Sequence, residues 1–181
     1  MFRLYSIISG VSGLALQPLW GKVIDRLGNR PVMVFNVVCV FFLPLIWLFA
    51  TPDFYLPIWI DAFLTGAFWP GFNLAAFNMV LTTAPRENRS AYLAVHSMAS
   101  GFSAFLASLA GGCLAYSLSQ FHWRVGAQTF VNFHVLFLLS ALARLALLPM
   151  ALSLHEDKAH PVRAIFTLAG AKIRRGFEEK L

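Results

Sequence analysis

The 181 residues are 59% hydrophobic and only 12% charged, with 14 Lys and Arg against 8 Asp and Glu. Ordinary soluble domains carry about 25% charged residues, so half of the usual solvating surface is missing. Four long stretches contain no charge: residues 4–21, 31–52, 62–85 and 90–123. A bilayer core needs roughly 20 apolar residues in a helix, so these stretches predict membrane spans and exclude a soluble domain.

Taken in chain order, the apolar stretches predict an all-α bundle of five transmembrane helices. We place them at about residues 4–20, 31–50, 56–82, 91–117 and 129–154. Residues 1–155 are therefore expected to form one transmembrane domain, followed by a basic tail over residues 156–181. Apolar residues recur at helical spacing in that tail, which indicates a short interfacial amphipathic helix; a solvated, disordered tail is the alternative.

The basic residues lie mainly on one side of this five-helix map. The first loop, the third loop and the tail hold eleven Lys and Arg, whereas the opposite side holds only Arg3 and Arg124. Short basic loops stay in the cytoplasm, so the N-terminus is expected outside and the tail inside a cell inner (plasma) membrane. The net charge of +6 is then a consequence of topology. We expect the lipid bilayer, and not nucleic acid, to be the partner.

The sequence carries no pattern of metal or covalent chemistry. Cys39 and Cys113 lie inside apolar stretches without redox spacing, where free cysteine ordinarily packs as a small hydrophobe. No two histidines have metal-ligand spacing, and phosphate-binding, nucleophile and zinc motifs are absent. Neither an enzyme nor a cofactor or metal is expected.

A short motif joins the first two predicted spans. It consists of a glycine, an Asp-Arg pair four residues later, a second glycine and a second basic residue: Gly21, Asp25, Arg26, Gly28 and Arg30. A glycine lets a neighbouring helix lie close, and a carboxylate can accept hydrogen bonds from the positive N-terminal end of a facing helix. An ordinary glycine-containing basic loop is the alternative interpretation.

This motif resembles the signature loop of the major facilitator superfamily, from which Val23 and Asn29 depart. A second segment, residues 85–92 with Arg86 and Arg89, resembles the cytoplasmic turn after the fourth or tenth helix of that family. The resemblance covers most of the predicted bundle. It implies secondary transport of a small solute by alternating access, with the first motif acting in the conformational switch.

The five spans resemble helices eight to twelve of the usual twelve. The third span carries Asp61 and Thr65 instead of the arginine often found in the fourth helix, which favours the C-terminal half. This assignment implies that the other transporter half is a missing partner. A truncated or non-transporting membrane subunit with an interaction role is the alternative, and the residues do not specify the small-molecule substrate.

The third span would then be a cavity-lining tenth helix. Its expected cavity face is a stripe at helical spacing: Gly66, Trp69, Asn73 and Phe77. An intramembrane amide beside a tryptophan suits a substrate site near the membrane midplane, although helix packing explains the same residues equally well. Pro70 removes a backbone donor within this stripe, which predicts a kink or local unwinding.

Three further polar residues could serve coupling or a polar path: Asp61, His96 and Arg144. Asp61 lies near the outer end of its predicted span, where solvation is the alternative. A charge at the membrane centre costs about 2.5–3.5 kcal/mol, so Arg144 is expected to face protein, water or a carboxylate instead of lipid. His96 is as readily a packing residue.

The asymmetry of basic residues makes the topology testable. Single cysteines at Gln120 and Asn88, in a chain lacking Cys39 and Cys113, should face opposite sides of the membrane. An impermeant thiol reagent added outside intact cells should label the Gln120 site and miss the Asn88 site. Equal labelling of both positions would contradict the five-span map.

Overall fold

A computed structural model of the chain describes residues 2–51, 54–120, 122–125, 128–156 and 161. Its helices are α1 (Phe2–Leu27), α2 (Asn29–Ile46), α3 (Leu56–Thr83), α4 (Arg89–Ser117), α5 (Asn132–Leu145) and α6 (Leu147–Ser153). Two 3₁₀ helices, η1 (Trp47–Phe49) and η2 (Arg86–Asn88), and two strands, β1 (His122–Val125) and β2 (Gln128–Val131), complete the elements. The amphipathic helix predicted for the tail lies outside the described residues.

The predicted all-α transmembrane bundle is confirmed. Within the described residues, four segments are long and apolar enough to cross a membrane: 3–27, 29–49, 86–117 and 132–153. The third predicted span is α3, which has 28 residues but is not among these four. Polar and weakly hydrophobic residues, including Asp61, Pro70 and Asn73, lower its mean hydropathy. Its crossing of the membrane therefore stays a prediction.

The last predicted span begins later than expected and is interrupted. Residues 129–131 belong to an antiparallel hairpin in which His122 lies opposite Val131 and Val125 opposite Gln128, so α5 starts only at Asn132. A break at Ala146 then separates α5 from α6. Pro149 explains this break, because it has no N–H to donate to the carbonyl of Leu145 one turn earlier.

Helix α3 is the centre of the bundle. Helix α1 packs along one side of it, and α2 packs against α3, α5 and α6. The most deeply buried residues lie at these contacts, among them Val32, Ala62 and Ala75, each with 0% exposure. Helix α4 has no buried residue, and within the described part of the chain it makes far fewer contacts with α3 and α5 than α1 and α2 make with α3. The core is therefore formed by α1, α2 and α3, together with α6 near the C-terminal end of the described residues.

The contact between α1 and α3 depends on Gly66. A Cβ atom at this position would overlap the Ser12 hydroxyl oxygen and the Ser9 carbonyl oxygen of α1. The Ser12 hydroxyl lies 3.3 Å from the Phe63 carbonyl oxygen across the interface, to which it can donate. Small residues allow such close approach in membranes, where packing drives helix association.

Helix α3 remains continuous through Pro70, so the predicted local unwinding is wrong. Pro70 withholds a backbone donor from the Gly66 carbonyl one turn earlier, yet the helix runs from Leu56 to Thr83 without a break. In the same turn, Trp20 of α1 donates its indole N–H to the neighbouring Ala67 carbonyl oxygen at 2.6 Å, which joins the two helices.

Substitution of Gly66 should separate α1 from α3. We expect Gly66→Ala to destabilise the protein by about 1–3 kcal/mol, because the added methyl group meets a backbone carbonyl that cannot rotate away. The measurement is thermal unfolding of the purified chain in detergent. Gly101→Ala is the matched control, because a Cβ there meets nothing within 4 Å and helix propensity improves by about 0.5–1 kcal/mol. Equal stability of the two variants would exclude the proposed packing role.

Candidate functional site

The four residues of the predicted stripe line a groove between α1 and α3. The groove consists of two adjoining cavities of about 430 and 410 Å³ that share Pro70 and Asn73. Gly66 and Trp69 line the first cavity, and Phe77 lines the second. We call this region the α1–α3 groove. One face of α3 is therefore open at mid-helix, as a binding site requires.

Gln17 of α1 faces the same groove and was missed by sequence reasoning. It lines both cavities together with Asn73 of α3, so two amides from two helices border one space. Each amide offers both donors and acceptors. The signal was present in the sequence, because Gln17 is a polar residue within the first uncharged stretch.

Asp61 lies in the interior and is not solvated, with only 2% of its surface exposed. Its Oδ2 atom accepts hydrogen bonds from the Tyr5 hydroxyl at 2.7 Å and the Trp47 indole N–H at 2.9 Å. Its Oδ1 atom is buried and has no hydrogen-bond partner among the described residues. Two donors thus bind one oxygen of Asp61, while the second oxygen is left without a hydrogen bond to offset its burial.

Arg144 of α5 faces the same interior space as Asp61. Its Nη1 atom donates to the Val40 carbonyl oxygen at 2.8 Å, and its guanidinium carbon lies 5.6 Å from the ring centre of Trp69. A partly open cavity of about 260 Å³ is bordered by both charged residues. We call it the Asp61–Arg144 cavity. The two charges attract one another, yet each uses other groups as its hydrogen-bond partners.

Trp69 lies between the groove and the cavity. It lines both spaces, as does Thr65 one turn earlier on α3. The Phe72 ring packs edge-on against the indole at 5.8 Å between centres. The indole therefore separates a surface groove from a charged interior cavity at the midpoint of α3.

The remaining predicted polar residues lie elsewhere. His96 is exposed on α4, and Arg86 and Arg89 are exposed around η2 and the start of α4. None of the three lines the groove or the Asp61–Arg144 cavity. The structure thus brings Asp61 and Arg144 together and leaves His96 apart.

The glycine–Asp-Arg motif surrounds the junction of α1 and α2. Gly28 adopts φ 94°, a left-handed conformation that glycine permits and that turns the chain from one helix into the next. Asp25 and Arg26 are exposed and border a cleft of about 410 Å³. A Cβ at Gly21 would meet nothing within 4 Å among the described residues. The motif is thus open on one side.

Glu156, which follows α6, binds the start of α2 and was not predicted. Its Oε1 accepts from the backbone N–H of Asn29 at 3.1 Å and from the Asn29 amide at 2.8 Å, and its Oε2 accepts from the backbone N–H of Arg30 at 2.7 Å. Arg30 in turn donates to the Leu152 carbonyl oxygen at 2.6 Å. Because Gly28 has no side chain to cap the helix, Glu156 supplies the acceptor and the favourable charge.

The environment of Glu156 sets its proton affinity. Partial burial raises the pKa of the carboxyl group, but hydrogen bonds from Arg30 and Asn29 and the positive charge of Arg30 outweigh it and leave the pKa below its ordinary value. The folded state therefore binds this proton more weakly than the unfolded state. The stabilisation is present above the ordinary glutamate pKa of about 4.3 and is lost as the pH falls below it.

These features define a multi-pass helical membrane protein with polar groups gathered around one central helix. The chain matches the family model of the Major Facilitator Superfamily over residues 2–175. It therefore belongs to this superfamily of membrane transporters. Neither a curated protein nor a solved structure matches the chain.

Removing the Glu156 carboxylate should loosen the start of α2. We expect Glu156→Ala to lower stability by about 0.5–1 kcal/mol at neutral pH, since two backbone donors lose a partly solvent-exposed acceptor. The difference from the unchanged protein should shrink progressively as the pH falls from about 4.3, the ordinary glutamate pKa, through the lower pKa of the folded state. Thermal unfolding in detergent across this pH range measures it. Glu87→Ala, an exposed acidic residue of η2, is the matched control, and an equal loss in both variants would contradict the capping role.

Proposed function

We propose that this chain moves a small solute across the membrane by alternating access, as part of a secondary transporter. The arrangement along α3 carries the proposal: an open groove and a charged interior cavity share Trp69 at the middle of the helix. Membership of the Major Facilitator Superfamily supports transport as the general role. Polar side chains at mid-depth of an apolar bundle are where secondary transporters bind solute.

We assign α1 to α4 to family helices eight to eleven, and α5 with α6 to the twelfth. In this assignment α3 is the cavity-lining tenth helix, which agrees with its groove. No described residue of α4 is buried, and α1 exposes large apolar residues including Val11 and Leu14. These faces support a second transporter half as partner, with the solute bound between the halves.

The orientation belongs to the same proposal. The loops and tail at the motif end carry eleven basic residues, so this end faces the cytoplasm and the N-terminus faces outside. The membrane is the cell inner (plasma) membrane. The motif from Gly21 to Arg30 then lies where the cytoplasmic side opens and closes.

We assign a switch role to this motif because its open side can receive another helix. Asp25 is exposed, and the space beside Gly21 is empty among the described residues. A helix N-terminus that meets Asp25 gains about 0.3–2 kcal/mol. A bias of about 1.4 kcal/mol changes the ratio of inward-facing to outward-facing states tenfold.

Two motif variants test the switch. Gly21→Val and Asp25→Asn should leave folding near normal but shift the equilibrium toward the state that is open to the cytoplasm, because both remove closing contacts. The reporter is a cysteine at Asn73, an exposed position in the α1–α3 groove, in a full-length chain lacking Cys39 and Cys113. Its labelling rate from the cytoplasmic side should rise up to about tenfold.

Lys22→Ala is the matched control, because Lys22 is an exposed residue of α1 that is not one of the five motif residues. It should leave the labelling rate unchanged. Labelling of the Asn73 site from one side only, in all variants, would refute alternating access. That labelling result would instead favour the alternative function, a non-transporting membrane subunit.

A further inference from the structure

We propose that the α1–α3 groove binds an uncharged solute that carries several hydroxyl groups beside an apolar ring. The proposal deepens the transport function above and rests on it. It names the class of solute for that site, and it assigns Gln17 and Asn73 as the residues that recognise the hydroxyl groups.

The groove is uncharged. Within the described part of the chain, both of its cavities are bordered only by neutral side chains and by glycine and proline. Asp61 and Arg144 line the other cavity, which the Trp69 indole separates from the groove. An ion that leaves water for the groove therefore meets no opposite charge to offset its lost hydration. An uncharged solute does not carry that cost.

Gln17 and Asn73 supply the hydrogen bonds. They lie on α1 and α3, both border the two cavities, and both are exposed. Neither side chain has a hydrogen-bond partner among the described residues. A primary amide offers two donors and one carbonyl acceptor, so it can bind hydroxyl groups, which also donate and accept. In an apolar bundle such amides need a partner, and a hydroxylated solute provides one.

Trp69 and Phe77 supply apolar surface on either side of Asn73. They stand four residues before and four residues after it on α3, so each lies about 6 Å from it along the helix axis. Trp69 lines the first cavity and Phe77 lines the second. Aromatic side chains contribute large apolar contact area. The groove thus places an amide between two aromatic rings, which suits a solute with a hydroxylated part next to an apolar ring.

Gly10 of α1 leaves room for the solute. The two cavities, of about 430 and 410 Å³, fall within the 300–1,000 Å³ that is typical of small-molecule sites. A Cβ at Gly10 meets nothing within 4 Å among the described residues, whereas a Cβ at Gly13 lies 3.4 Å from the Pro70 Cγ atom. The helices therefore touch at Gly13 and leave space at Gly10. A larger side chain at Gly10 fills the groove without separating the helices.

Titration calorimetry of the full chain in phosphatidylcholine nanodiscs tests the class of solute. The probes share one scaffold and differ in charge: phenyl β-glucoside is neutral, phenyl β-glucuronide is an anion, and phenyl β-glucosaminide is a cation at about pH 6. Nanodiscs replace maltoside detergents, whose headgroups carry the same hydroxyl groups and would compete, and empty nanodiscs give the blank. We expect the glucoside to bind at least about tenfold more tightly than either charged compound, because neither charge is compensated in the groove.

Three variants locate the binding site. Gly10→Phe fills the groove and should abolish glucoside binding; Gly101→Phe, on α4 where a Cβ also meets nothing within 4 Å, is the matched control and should bind as the unchanged protein. Asn73→Leu removes the amide at similar volume and should weaken glucoside binding by about fivefold to tenfold, as the loss of a hydrogen bond predicts. Gln17→Glu is isosteric and adds a negative charge, so it should weaken glucoside binding and strengthen glucosaminide binding. Thermal unfolding checks that each variant is folded.

The proposal is overturned if the folded protein binds none of the three compounds, or if a charged compound binds as tightly as the glucoside. Undiminished glucoside binding in folded Gly10→Phe, or in both amide variants, overturns it as well. Because calorimetry measures binding at equilibrium, these outcomes are independent of transport. Glucoside binding with one-sided labelling of the Asn73 site would refute alternating access alone, whereas two-sided labelling without glucoside binding would refute the assigned class of solute alone.

Discussion

The close approach of α1 to α3 at Gly66 is the contact on which the rest of the site depends. Toward one end of the bundle it brings Tyr5 to Asp61, and toward the other it places Gln17 beside Asn73. A wider separation would remove the hydroxyl that holds the buried carboxylate. One missing methyl group thus allows both spaces to exist with a tryptophan between them.

The bilayer explains why the polar residues gather around a single helix. The free-energy cost of placing a charge against lipid is several times the free energy that one hydrogen bond contributes. Asp61 and Arg144 are therefore stable only where protein or trapped water surrounds them. Helix α3 packs against both α1 and α2 and is not among the four segments that are apolar enough to cross a membrane. Asp61 belongs to its buried positions, whereas Phe63 and Phe77 on the same helix are exposed.

The sequence predicted the helical bundle and its main segments, because uncharged stretches of membrane length are a strong local signal. It also predicted that Trp69 and Asn73 share a face, which follows from helical spacing. It could not predict that Tyr5 and Trp47 bind Asp61, or that Glu156 caps α2, because these contacts join segments far apart in the chain. The hairpin before α5 was missed because Phe130 and Val131 extend the apolar run of α5, so hydropathy alone did not place the start of the helix at Asn132.

Trp69 gives the two spaces a physical reason to act together. Its indole lies beside the Arg144 guanidinium on one side and borders the groove on the other. A cation near an aromatic ring gains about 0.5–2 kcal/mol, which depends on how well the cation is desolvated. Because the indole lines both spaces, its position determines the shape of the groove and of the charged cavity together.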